Sequence, residues 1–265
     1  MKKTIKTALF LLLALTYLNE GHAQGRKIMY LQTYDWAPYH FGLQAGVNFM
    51  DYKLIMKENY QNEMHYDFDD LSNMSGIGQE GFQYYQILSV ERDTTGSIKH
   101  IPKPGFSVGL VGDMRLGDYF NLRFSPTFSL SEINVGYTLQ IHYTDTILTR
   151  VTTSHHPYLC CLEFPFHLKY RSKRYNNIGV YLLTGLNPKV YFRSKTVDWI
   201  KTKPLDVAFE VGTGLDIYNQ WFKMGVELRF AFGIFNILAD DQVSYYGHPL
   251  EGLKNKQLLL SFTFE

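Results

Sequence analysis

His155 and His156, with Ser154 beside them and Asp145 upstream, are the residue types of a hydrolase or transferase site. Such catalysis needs a base within hydrogen-bond reach of its nucleophile and a third group that orients the base. Adjacency along the chain supplies neither, so a polar loop tip is the expectation. His65, Asp67, Asp69 and Asp70 offer oxygens and an imidazole to a cation such as Ca²⁺, but no EF-hand spacing frames them. They read as an acidic, solvated loop. Gly212-Thr213-Gly214 is a lone Gly-x-Gly without the context of a phosphate loop, and its glycines are expected to relieve crowding inside the fold. Cys160 and Cys161 are adjacent, a spacing at which a disulfide would be strained, and no zinc spacing exists. The expectation is a protein with no catalytic residues, no metal and no cofactor, and not an enzyme.

A different chemistry is written into the charges. Asp113, Arg115, Glu163, Lys169, Glu210, Asp216, Glu227 and Arg229 each stand between apolar neighbours in segments that alternate with period two. Phe106 to Met114, Leu122 to Leu130, Leu162 to Tyr170, Leu205 to Ile217 and Phe222 to Ile234 keep apolar residues on one face. Glycine and charge take the other. Phe41 to Phe49, Ile178 to Leu186 and Leu258 to Phe264 complete a set of eight strands. No comparable stretch has a 3.6-residue period. An apolar face unbroken by charge, set against a small and charged face, suits lipid outside and a polar lumen inside. Charges in such a lumen must be paired or hydrated, and Arg229 is expected to pair with Glu210 or Glu163.

The connections alternate in length. Those near residues 116–120, 171–177 and 219–221 are short. Those near 51–105, 131–158 and 236–257 are long, and 193–204 is intermediate. Outer-membrane barrels have short periplasmic turns and long extracellular loops. Tyr119, Phe120, Tyr170, Tyr175, Tyr218, Trp221, Phe222, Phe262 and Phe264 gather near the short-turn ends, as a membrane-interface girdle would. The last strand ends in an aromatic, as barrel-assembly machinery usually requires, although Glu265 follows Phe264. The expected fold is therefore all-β: an eight-stranded antiparallel transmembrane β-barrel of outer-membrane type, too narrow for a general diffusion pore.

Residues 1–23 read as a signal peptide: Lys2, Lys3 and Lys6, an apolar run of about eleven residues, then Gly21-His22-Ala23. Removing three lysines and Glu20 takes the net charge from +1 to −1, which leaves no basic excess for a nucleic-acid partner. Residues 24–39 are then a periplasmic N-terminal segment and 40–265 the barrel. The expected location is the outer membrane, with membrane lipid and lipopolysaccharide as surroundings.

The ordered segments resemble those of the PorT-like outer-membrane proteins of Bacteroidetes. The likeness runs through Pro38-Tyr39-His40-Phe41-Gly42-Leu43, Gly46 to Tyr52, Pro104-Gly105-Phe106 and Gly112 to Gly117. It continues through Asn121 to Phe124, Leu162-Glu163-Phe164-Pro165, Leu168-Lys169-Tyr170, Lys173-Arg174, Pro204 to Val207, Glu210-Val211-Gly212 and Glu227 to Phe230. The resemblance implies an accessory component of type IX secretion, which exports sorting-domain cargo and, in gliding members, adhesins. Its partners would be other type IX components, met through the loops or the segment from Met29 to Pro38. The other readings are a generic structural or adhesive barrel and, third, a lipid-modifying enzyme using His155 or His156.

Overall fold

The computed structural model describes residues 28–67, 71, 78–91, 103–192, 200–240 and 249–265. The signal peptide, the start of the segment after it, Asp69 and Asp70 lie outside the described residues. The described elements are strands and two short 3₁₀ turns, Tyr34–Trp36 and Tyr60–Asn62.

Ten strands make a closed antiparallel ring of eight positions. They are β1 (Tyr39–Met56), β3 (Pro104–Arg115), β4 (Phe120–Phe124) continued by β5 (Thr127–Tyr143), β6 (Ile147–Glu163) continued by β7 (Phe166–Arg171), β8 (Ile178–Phe192), β9 (Leu205–Tyr218), β10 (Lys223–Gly233) and β11 (Leu250–Phe264). β1 pairs with β11 and β8 with β9, which closes the ring. β2 (Phe82–Glu91) lies outside it and pairs with the far half of β5.

Two prolines explain why eight positions hold ten strands. Pro126 and Pro165 have no N–H to give a ladder. The register pairs Phe124 with Phe166 and Thr127 with Glu163, so the two breaks face each other across neighbouring strands. The backbone bridges the gap with Leu110 N–H to the Pro126 carbonyl at 3.0 Å and Ser125 N–H to that of Pro165 at 3.2 Å.

The connection expected over residues 131–158 is not a loop. β5 and β6 run on as a long hairpin and turn only at 144–146, where Tyr143 N–H donates to the Thr146 carbonyl at 2.8 Å. The reason is an inversion of polarity along the same strands. On β5 the inward side chains begin as Thr127, Ser129 and Ser131, then become Ile133, Tyr137, Leu139 and Ile141, all buried. On β1 inward Gln44 and Asn48 give way to Met50 and Tyr52. The outer face changes at the same height: past Phe49 and Leu258 come Asp51 and Lys256, which are register partners. Below that level the wall is apolar outside and polar inside; above it the wall is built as in a water-soluble protein. β2, Leu71, Ile200, Ile237 and Leu253 fill the upper space with an apolar core.

Glycines make room for large inward side chains. A Cβ on Gly214 would overlap the ring of Tyr181, and one on Gly212 would come within 2.8 Å of Arg229 Cγ. Gly112, by contrast, has no such neighbour closer than 3.7 Å. Gly214→Ala is expected to destabilise the fold by about 1–3 kcal/mol through overpacking, while Gly112→Ala stays near neutral. Urea unfolding in vesicles, followed by heat-modifiable gel migration, measures both; equal midpoints for the two variants would refute the overlap.

Candidate functional site: a cross-braced lumen

Inward-facing charges meet at the ring's interior in successive layers. The central layer is held by Arg123. It stands on β4, four strands from β10 in either direction round the ring, so its partner Glu227 comes from the opposite wall. Arg123 Nε and Nη2 also donate to the two Asp113 oxygens, both at 2.7 Å, and Nη2 to Glu265 Oε1 at 2.8 Å. Arg123, Asp113, Glu227 and Glu265 side chains are fully buried. Tyr181 O–H donates to Glu227 at 2.7 Å, and Lys169 donates to Asp216 at 3.0 Å with its ammonium 3.8 Å from the centre of the Tyr181 ring.

The next layer joins two carboxylates through one amide. Asn187 Nδ2 donates to Glu163 at 2.7 Å and to Glu210 at 2.5 Å. Ser129 and Gln257 donate to Glu163 at 2.7 and 3.1 Å, and Lys189 stands 3.5 Å from it while also bonding Gln257. Glu210 has His167 at 2.8 Å and Arg229 at 3.5 Å. Above, Asn255 bonds Tyr191, and the apolar core begins.

A strap of residues 28–38 closes the short-turn end. Asp35 accepts from Arg171 at 2.8 Å and from Tyr218 O–H at 2.9 Å. Arg174 bonds the carbonyls of Tyr30 and Leu31, and Asn177 exchanges bonds with the backbone of Ile28 and Tyr30, each at 2.9 Å. Tyr34 stacks on His40 with ring centres 4.0 Å apart and donates to Glu265 at 3.3 Å. Burial, and after it the Glu265 carboxylate, push the Tyr34 phenol far above its usual range, so it remains a donor.

Of the charges singled out from sequence, Asp113, Glu163, Lys169, Glu210, Asp216, Glu227 and Arg229 all lie buried in the lumen. Arg115 does not join them. It stands at the end of β3 and pairs with Asp118 in the turn at 2.7 Å, beyond the last lumen layer. Arg229 takes Glu210, not Glu163, as its partner. Tyr119, Phe120, Tyr170, Tyr175, Trp221, Phe222, Phe262 and Phe264 face outward, but Tyr218 is buried. It shares the parity of Asp216 on β9 and therefore points inward to Asp35. Arg123, His167, Lys189, Lys223 and Glu265 also line the lumen and are not among the charges singled out from sequence. The signal was present as parity: Arg123 sits between outward Leu122 and Phe124, and Glu265 continues the inward row of Ser261 and Thr263. His155 and His156 lie within β6, in register with Asn134 and Ile133. Cys160 and Cys161 are unbridged. No cluster of metal-ligating side chains occurs among the described residues.

Removing Arg123 would take the shared guanidinium from three buried carboxylates. Arg123→Met is expected to cost about 3–5 kcal/mol, and Arg229→Met less, because its contacts at 3.5 and 3.8 Å are longer and His167 also serves Glu210. Urea midpoints of the barrel in vesicles check the order, and adding Glu227→Gln to Arg123→Met should recover part of the loss. An Arg123→Met midpoint no lower than that of Arg229→Met would refute the bridging role.

The family model described as outer membrane protein beta-barrel domain matches residues 23–239. No curated protein sequence matches the chain. Among solved structures, the outer membrane protein OprG from Pseudomonas aeruginosa is similar at 12% identity and a TM-score of 0.36, over 86% of this chain and 95% of that one. With a closed eight-position ring, an apolar outer band and a family match over most of its length, the chain belongs to the outer membrane β-barrel domain family, and its place is the outer membrane.

Proposed function

We propose that this chain is an accessory outer-membrane barrel of type IX secretion that acts as a fixed platform and passes no cargo through its own lumen. The observation that carries the closed-platform half is the Arg123–Glu227 bridge, which joins opposite walls at full burial. A barrel cross-braced at its middle and strapped at one end has no path for a polypeptide. The resemblance of its segments to PorT-like proteins carries the secretion half. In this reading the short turns and the strap face the periplasm and the capped end faces outward. No catalytic step is assigned to the protein.

The readings part experimentally. Deleting the gene should leave sorting-domain cargo in the periplasm, and purified barrel in planar bilayers should show no step conductance. Normal surface display of cargo would overturn the secretion role, and steady ion channels would overturn the closed platform. A second reading, an adhesive barrel, draws on the apolar core that makes the long-loop end a folded cap. Cutting the β5–β6 hairpin back to a short turn should then alter surface adhesion while secretion stays normal.

A further inference from the structure

At the short-turn rim, a cleft of about 360 Å³ is lined by residues of both parities, some facing the lumen and some facing outward. Gly179, Asp216 and Tyr218 line it from within; Val180 and Tyr119, which face outward, line it from the membrane side. Its roof is the strap residue Trp36, and its polar walls are Arg115, Arg171, Lys173 and Arg174.

The charges there do not balance locally. Arg171 is matched by Asp35 at 2.8 Å and Arg115 by Asp118 at 2.7 Å. Asp216 is engaged from the lumen by Lys169 at 3.0 Å. Arg174 spends its donors on neutral carbonyl and amide oxygens, with the Asp35 carboxylate no nearer than 3.9 Å. The exposed Lys173 ammonium makes no hydrogen bond or ion pair among the described residues. Arg115, Arg171, Lys173 and Arg174 thus stand against Asp35, Asp118 and Asp216, which leaves one positive charge over at a cleft lined in part by outward-facing residues. Just along the outer face run Phe120, Tyr170 and Tyr119, with Phe120 and Tyr170 ring centres 5.3 Å apart.

We propose that this rim cleft is a binding site for the headgroup of an anionic glycerophospholipid, its phosphate paired with the exposed Lys173 ammonium, with Arg174 adding charge nearby but no hydrogen bond, and its acyl chains laid over Val180, Tyr170 and Phe120. The volume falls in the range of small-ligand pockets. Excess basic charge at a membrane surface attracts anionic lipid, and interfacial aromatics hold the glycerol and upper chain region. A soluble anion would find the charge but not the outward apolar wall, which is why the lipid is the assigned occupant. The site concerns the rim alone and holds whether or not the barrel serves secretion.

The test uses the full-length mature barrel in zwitterionic detergent, with native mass spectrometry counting retained lipid. Wild type should retain phosphatidylglycerol in preference to phosphatidylcholine. Lys173→Glu reverses a charge on an exposed turn, so the barrel should fold, and it should weaken phosphatidylglycerol retention about tenfold. Lys53→Glu, an equal charge change at the opposite end, should leave it unchanged. Heat-modifiable migration confirms that each variant is folded. Equal retention of the two lipids, or an unaltered Lys173→Glu, would overturn the site. Glycerol 3-phosphate should not displace the lipid at millimolar concentration; displacement there would assign the cleft to a free phosphate and overturn the lipid proposal.

Discussion

One guanidinium holds this barrel shut. Arg123 is taken wholly out of water, a step that is expensive for any cation unless its donors are met by charge and hydrogen bonds together. Here Asp113 on the neighbouring strand receives a two-pronged contact, while Glu227 from the opposite wall and Glu265 after the last strand take the remaining donors. Three carboxylates around one arginine would leave an acidic excess. Lys169 near Asp113 at 3.6 Å and Lys223 against Glu265 at 2.6 Å offset it. The layer is therefore a unit, and its members depend on one another more than on their own strands. The glycines follow from it: Tyr181 reaches Glu227 only because Gly214 leaves the space its ring occupies.

The prolines gain meaning against the same brace. Pro126 and Pro165 leave the ladder thinnest between the two strand positions that also carry the lumen's most extensive bonding, with Arg123 and Ser129 on one and Glu163, His167 and Lys169 on the other. Backbone bonds to the two proline carbonyls and the Ser129–Glu163 bond inside the wall hold these neighbouring strands beside the breaks.

How much of this could be read from residues alone follows from where alternation keeps its sense. Through the membrane band the rule is simple, apolar out and polar in, so the eight ring positions, the buried charges and most outward aromatics follow from parity. Beyond Phe49 and Leu258 the solvent changes from lipid to water, and the rule reverses on an unbroken strand. A period-two pattern that inverts its phase looks like an ending, which is why the hairpin from Ile133 to Tyr158 reads as a loop and β2 is missed. Within the lumen, parity tells which side a residue faces but not how deep it sits or whom it meets. Arg115 has the parity of a lumen residue yet lies past the last layer, and Tyr218 faces inward although its place near a turn suggests the girdle. Arg123 escapes notice because two of its three carboxylate partners, Glu227 and Glu265, lie 104 and 142 residues away, and pairing across a ring leaves no local mark.

With the middle bridged by Arg123, the two ends are built differently. The long-loop end continues the wall upward and fills it with an apolar core, so it is stiff for the same reason a soluble domain is stiff. The short-turn end is sealed by a strap that buries little apolar surface and is fastened mainly by Asp35 and by Arg174 on backbone carbonyls. Polar fastenings at a wet rim are individually weak and exchange readily with water or with another chain's polar groups. Among the described residues, one hydrogen bond, from Tyr34 to Glu265, joins the strap to the layer around Arg123. Of the two ends, the strapped one is therefore held by polar bonds and the capped one by apolar packing.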